Sequence, residues 1–79
     1  MFYVDLMEGM YEVSAEEGDI LPGKYICYTD AEEPKHVSVH VIMWLGENEY
    51  CVKKGKAVRL ILEEGSILCV DEGVSLMEI

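Results

Sequence analysis

The chain has 79 residues, of which 16 are acidic and six are basic, so its formal net charge is -10, and 51% of its residues are hydrophobic. This length makes one domain, near the lower size at which a hydrophobic core suffices without disulfides or a metal. The charge repels nucleic acid and anionic membranes and attracts cationic partners. The hydrophobic fraction excludes a disordered acidic tail.

The chain shows no membrane or export signal. No apolar run approaches the roughly 18–20 residues of a membrane span, and the N-terminus has neither a basic segment nor a cleavage site. We therefore predict a single β domain over residues 1–79, located in the cytoplasm, or in the host cytoplasm if the source is viral.

Short runs rich in β-branched and aromatic residues predict strands along the whole chain. In the run from His36 to Leu45, alternation places Val37, Val39, Val41 and Met43 on one face, and the histidines with Trp44 on the other. The run 67–70 is apolar on both faces, which is typical of an inner strand covered on two sides. The predicted strands are 2–7, 10–13, 25–29, 36–45, the run around 50–52, 57–62, 67–70 and 74–79.

Glycines lie between these runs, and four of them directly follow two charged residues: Gly18, Gly55, Gly65 and Gly73. Such a pattern is typical of a tight turn closed by a glycine in the left-handed region, because only glycine adopts positive φ at little cost. We predict hairpin turns at 53–56, 63–66 and 71–74, with the spacing of an antiparallel meander. Pro22-Gly23 predicts a type II turn.

These elements predict an all-β fold, a small single-domain antiparallel barrel or sandwich of about 6–8 short strands joined by tight hairpins. The stretch 30–36 is expected to be the longest and most acidic loop, and 14–17 has the spacing of a short capped helical turn. The predicted core includes Val58, Leu60, Leu62 and Leu68.

Two motifs resemble a small β-rich module of Gram-positive bacterial proteins. Its strand entry D-I-x-x-G-x-Y corresponds to residues 19–25, and its hairpin V-x-L-x-x-G-x-x-L corresponds to residues 58–60 and 64–68. The resemblance spans about residues 13–79. It implies a β-rich fold and a family usually found in secreted or surface proteins, and it implies no catalytic residues. The three cysteines and the missing leader distinguish this chain from that module.

The histidines and cysteines, which could take part in catalysis or bind a metal, do not form a recognisable catalytic or metal-binding motif. His36 and His40 share a strand face, but simple alternation explains this, and their spacing matches no zinc motif. Cys51 lies near Lys53-Lys54, yet the strand pattern is expected to bury it. We interpret Cys27, Cys51 and Cys69 as reduced core thiols of a cytosolic protein, with one disulfide and a spare thiol as the alternative. We predict no enzyme activity, catalytic residue, metal or cofactor.

The basic residues are concentrated in one hairpin, which contains Lys53, Lys54, Lys56 and Arg59. The remainder of the chain has two lysines against all sixteen acidic residues, so the molecule is expected to be strongly dipolar. The hairpin either neutralises carboxylates on adjoining strands or contacts an acidic patch on a second copy or an anionic ligand. The sequence leaves both interpretations open.

Size, charge and the absence of a catalytic motif favour a small acidic binding protein. Ordered carboxylates at turn tips can occupy sites meant for phosphates, so the expected partner is a larger basic protein, such as a nuclease or another nucleic-acid-binding protein. The concrete hypothesis is a phage or mobile-element inhibitor of a host defence protein, of the anti-CRISPR or anti-restriction type. The predicted partner-binding residues are Glu16, Glu17, Asp19, Asp30, Glu32, Glu33, Trp44, Glu47 and Glu49.

The alternative hypothesis is a cellular β-module that acts through homo-oligomerisation or small-ligand binding in the barrel mouth. In this interpretation the apolar C-terminal strand, residues 74–79, pairs with a second copy through an open edge and makes a homodimer.

Overall fold

The computed structural model describes residues 3–41 and 46–79, which form eight β-strands, and the described residues contain no helix. The all-β prediction is therefore confirmed. The strands are β1 (Tyr3–Leu6), β2 (Gly9–Glu12), β3 (Gly23–Thr29), β4 (Lys35–Val41), β5 (Gly46–Val52), β6 (Val58–Leu62), β7 (Ser66–Val70) and β8 (Val74–Glu78).

The strands form two four-stranded antiparallel sheets that pack together as a sandwich. Sheet A has the order β1-β8-β3-β6, and sheet B has the order β2-β7-β4-β5. Because β8 lies between β1 and β3, its two edges are already paired. The expectation that the C-terminal strand offers an open edge is therefore wrong, although association through another edge strand stays a prediction.

The strand pairs are nested within one another along the chain. β4 pairs with β5, β3 with β6, β2 with β7 and β1 with β8, so the described strands form one long hairpin that is folded into two sheets. Among consecutive strands that the structure describes, β4 and β5 lie in the same sheet, and each of the other pairs lies in opposite sheets. This arrangement of eight strands is that of a jelly roll.

The tight turns lie where the glycine pattern predicts them, but the expected meander is wrong. Gly55, Gly65 and Gly73 have φ values of 80°, 86° and 90°. Each turn nevertheless joins strands of opposite sheets. A tight turn reverses the chain whether the next strand lies in the same sheet or in the opposite one. The nested pairing with earlier strands determines in which sheet the next strand lies.

The core fills the space between the sheets, and alternation along each strand explains which residues enter it. In β3, Tyr25 and Cys27 are buried while their neighbours are not. The predicted core residues Leu60, Leu62 and Leu68 are at most 1% exposed, and Val58 packs against them half-buried. The core prediction is confirmed.

Three local predictions need correction. The prediction that the run 67–70 is covered on both faces is wrong. β7 has a strand on each side, but only one of its faces is covered, so Ile67 and Cys69 remain half-buried. Gly23 has a φ of 158°, close to full extension, and begins β3 instead of occupying a type II turn. The longest described connection is 13–22, between β2 and β3, and not the loop after β3.

Gly18 is required for a different reason from the other turn glycines. It is not among the glycines with positive φ, but a Cβ at this position would overlap the Ser14 backbone nitrogen and lie 2.8 Å from the Glu12 carbonyl oxygen. An added Cβ at Gly65 would meet nothing within 4 Å, so only its φ of 86° opposes substitution.

We therefore expect Gly18→Ala to destabilise the fold more than Gly65→Ala. The free energy of unfolding should fall by about 1 kcal/mol for Gly65→Ala, where the cost is backbone strain. It should fall by about 2–3 kcal/mol for Gly18→Ala, where backbone atoms must move. Urea denaturation of both variants measures the difference, and equal losses would contradict the steric account.

The alternation along β6 gives a matched pair of variants. Leu60 is 1% exposed, whereas Ile61, its neighbour, is 66% exposed. We expect Leu60→Ala to lower the free energy of unfolding by roughly 2–5 kcal/mol, because it leaves a cavity in the core. Ile61→Ala should change it by less than about 0.5 kcal/mol. Thermal or urea unfolding of the two variants checks this, and the reverse order would mean that the faces of β6 are misassigned.

Candidate functional site

The connections between strands gather at two opposite ends of the sandwich. At one end, the link 13–22 meets the turn 63–65, where Gly65 N donates to Val13 O at 2.8 Å and Val13 N donates to Ser66 O at 2.9 Å. At the other end, the hydroxyl of Thr29 donates to Gly73 O at 2.7 Å, which joins the loop 30–34 to the turn 71–73. The charges must therefore be compared end by end.

The first of these ends, which we call the acidic end, contains exposed carboxylates and no lysine or arginine within its two segments, 12–20 and 63–65. Two predicted residues, Glu16 and Glu17, lie at the tip of its longer segment. The carboxylates of the acidic end are Glu12, Glu16, Glu17, Asp19, Glu63 and Glu64.

The backbone of the acidic end is fixed by burial and hydrogen bonds. Val13 and Ile20 are in the core and form a bridge to each other, so the segment between them is closed at its base. Within it, the Ser14 hydroxyl accepts from Glu16 N at 3.3 Å and from Glu17 N at 3.5 Å. The capped turn predicted at 14–17 is thus present, and it presents both glutamates to solvent.

Two carboxylates accept backbone hydrogen bonds at the acidic end, and one of them, Glu64, ties its two segments together. Asp19 Oδ2 accepts from Glu12 N at 3.0 Å, and Glu64 Oε1 accepts from Ala15 N at 3.0 Å across 49 residues of sequence. The hydrogen bond from the Ala15 amide, followed by that from the Ser14 hydroxyl, lowers the pKa of Glu64 below its ordinary value. Glu64 therefore keeps its negative charge into mild acid.

The acidic loop after β3 lies at the opposite end, beside the turn 53–56 of the predicted basic hairpin, which joins strands of opposite sheets. Lys54 Nζ is 2.9 Å from Glu32 Oε1. The structure therefore separates Asp30, Glu32 and Glu33 from the glutamates of the acidic end. The contact favours the interpretation in which the basic hairpin neutralises nearby carboxylates, although an exposed pair of this kind contributes little to stability.

Glu47 and Glu49 lie on the outer face of sheet B, where each contacts a histidine. His40 Nε2 is 3.3 Å from Glu47 Oε1, and His36 Nε2 is 3.2 Å from Glu49 Oε1. The predicted shared face of the two histidines is confirmed. Trp44, the predicted aromatic contact residue, lies outside the described residues, so its role stays a prediction.

The cysteines occupy three different environments. Cys27 is buried, and burial raises the pKa of its thiol to about 12. Cys51 is exposed and Cys69 is half-buried, both on the outer face of sheet B. The prediction of three core thiols is therefore wrong for two of them, since the alternation of their strands points these side chains away from the core.

No group of three or more potential metal ligands is found in residues 3–41 and 46–79. Nor does that part of the chain contain a helix long and apolar enough to cross a membrane.

Sequence reasoning missed three members of the acidic end: Glu12, Glu63 and Glu64. Glu63 and Glu64 precede the turn glycine Gly65, as Glu16 and Glu17 precede Gly18, so the repeated Glu-Glu-Gly pattern was a visible signal. The pattern does not reveal that β2 pairs with β7, and this pairing brings the two turns to the same end of the sandwich.

Comparison with known protein families, curated proteins and solved structures found no match to this chain. The resemblance to the β-rich module of Gram-positive bacteria accordingly stays a prediction.

The lowered pKa of Glu64 predicts a pH-dependent contribution to stability. A carboxyl group whose pKa is lower in the folded state stabilises the fold above its unfolded pKa, about 4.3, and this contribution is lost as the pH falls through the folded pKa. Glu64→Gln retains an oxygen that accepts from Ala15 N but removes the charge. We expect its melting temperature to fall below that of the matched control Glu63→Gln at pH 7.

The difference between these two variants should shrink as the pH falls through the folded pKa of Glu64, because the wild type then loses the same charge. Each variant removes one negative charge from the same turn, so changes in overall repulsion are the same for both. Thermal unfolding between pH 7 and pH 2.5 measures the effect. Identical melting curves for the two variants at pH 7 would contradict it.

Proposed function

We propose that this chain is a non-enzymatic binding protein that docks its acidic end on the basic surface of a larger nucleic-acid-binding protein. The observation that carries the proposal is the uneven distribution of basic residues between the two ends. Six carboxylates share the acidic end with no lysine or arginine in their segments. The opposite end combines the lysine-rich turn 53–56 with six other carboxylates, Glu8, Asp30, Glu32, Glu33, Asp71 and Glu72.

The geometry of the acidic end suits recognition of a surface built for phosphates. Its carboxylates stand on segments fixed by Val13, Ile20 and the hydrogen bonds of Asp19 and Glu64. A backbone that is already fixed loses little conformational entropy on binding. Arginine and lysine side chains that bind phosphates also pair with carboxylates.

The concrete form of the proposal is a phage or mobile-element inhibitor that blocks the nucleic-acid-binding surface of a host defence protein. Its support is the small size of the chain, its net charge of -10 and the ordered anionic end. An inhibitor of this kind gains its speed from long-range attraction, because complementary charges steer the encounter of the two proteins.

The structure modifies the expected contact residues. Glu16, Glu17 and Asp19 remain candidates and are joined by Glu12, Glu63 and Glu64. The loop carboxylates Asp30, Glu32 and Glu33 are weaker candidates, because Lys54 already pairs with Glu32 and adjoining lysines reduce the local negative potential.

The test compares charge reversal at the two ends of the molecule. We expect Glu16→Lys with Glu17→Lys to slow association with the partner by on the order of tenfold at low salt. The matched control, Glu32→Lys with Glu33→Lys, makes the same change in net charge and should have a smaller effect. Both pairs are exposed, so folding should be unchanged.

The partner is recovered by affinity capture from host lysate at low salt, and rates are measured by surface plasmon resonance at two salt concentrations. Nucleic acid added in excess should compete with the chain for the captured protein. Recovery of no nucleic-acid-binding protein, binding that is independent of salt, or equal effects of the two double reversals would overturn the proposal.

A further inference from the structure

A cleft of about 340 Å³ opens at the edge of the sandwich where β5 and β6 face each other. Val39, Val41 and Tyr50, from the inner side of sheet B, form one wall. Ile61, from β6, contributes to the other wall. β5 and β6 are the outermost strands of their sheets, so within residues 3–41 and 46–79 no further strand closes this side of the core.

A buried hydroxyl without a partner lies in this cleft. Ser66 lines it and is 1% exposed, and its Oγ has no hydrogen-bond partner among the residues that the structure describes. Its backbone groups are satisfied, since Ser66 N donates to Glu63 O and Ser66 O accepts from Val13 N. Buried hydroxyls are nearly always hydrogen-bonded, so Ser66 Oγ is a polar group of the cleft lining that a bound molecule could satisfy.

The charges around the cleft favour an uncharged occupant. Arg59 and Glu63 both line the cleft, so the formal charges of its lining side chains sum to zero. An anion would also be repelled by the net charge of -10. A cation would meet the Arg59 guanidinium, and either ion would lose water against the valine walls.

We propose that the cleft binds a small uncharged aromatic compound of about two fused rings whose hydroxyl group hydrogen-bonds to Ser66 Oγ. A cavity of about 150 Å³ holds benzene, so the larger volume here accommodates two rings. A slot between two sheet edges suits a flat molecule, and the Tyr50 ring gives it an aromatic neighbour. The site is separate from the docking proposal, although Glu63 borders both.

Three compounds of one shape test the proposal on the complete chain. 2-Naphthol has the hydroxyl, naphthalene lacks it, and 2-naphthoate replaces it with a negative charge. We expect 2-naphthol to bind about fivefold more tightly than naphthalene, in keeping with one added hydrogen bond, and 2-naphthoate to bind most weakly. Two-dimensional ¹H–¹⁵N NMR titration gives both the affinity and the location, with shifts centred on Val39, Val41, Tyr50 and Ser66.

A variant pair isolates the hydroxyl. Ser66→Ala should bind naphthalene as the wild type does and lose the preference for 2-naphthol. The matched control is Ser38→Ala, which removes another buried serine hydroxyl, 3% exposed, on the opposite face of β4 from the cleft wall. It should keep the preference. If Ser66→Ala does not fold, the relative affinities of the three compounds for the wild-type chain still test the proposal.

Each contrary outcome overturns the proposal. These outcomes are no binding of any compound up to millimolar concentration, shifts away from the cleft, equal affinity for 2-naphthol and naphthalene, or tightest binding of 2-naphthoate. A preference for 2-naphthol that survives in Ser66→Ala would likewise remove the assigned hydrogen bond. None of these outcomes bears on the charge-reversal test of the acidic end.

Discussion

Strand β8 holds sheet A together, because it pairs with β1 on one side and with β3 on the other. Its inward residues Val74 and Leu76 are fully buried, so the strand contributes to the core as well as to the ladder. Without β8, β1 has no neighbour in its sheet, and β3 loses the strand paired along one of its edges. Its partners lie about 45 to 75 residues away in sequence, and such non-local pairing makes folding slow.

The strands and turns were predictable because they depend on local chemistry. Alternation identifies Leu60 and Leu62 as inward residues, and the charged pairs before Gly55, Gly65 and Gly73 identify the turns. The topology was not predictable from the same signals. A glycine in the left-handed region makes a tight turn whether the chain returns to the same sheet or crosses to the other one, so the meander was a reasonable and wrong inference.

The candidate site was predictable in its chemistry and not in its membership. The excess of carboxylates over bases is visible in the sequence, and so is the concentration of lysines around Gly55. Which acidic segments share an end follows from strand pairing alone. β2 beside β7 brings Glu12 and Glu64 near one another, whereas β3 beside β6 brings Glu32 to Lys54. The first arrangement concentrates negative charge and the second dilutes it, although the two segments look alike in the sequence.

The pairing of β1 with β8 also determines how the molecule responds to a pulling force. Tyr3 lies opposite Met77, so the outer ends of these two strands are at the same end of one antiparallel ladder. Force applied between them loads the inter-strand hydrogen bonds one after another, as in opening a zipper, and never all at once in shear. The side-chain bond from the Ser75 hydroxyl to Asp5 Oδ1, at 2.6 Å, lies two residue pairs further along this ladder. The sandwich is therefore mechanically weak along the line that joins its two terminal strands, however well its core is packed.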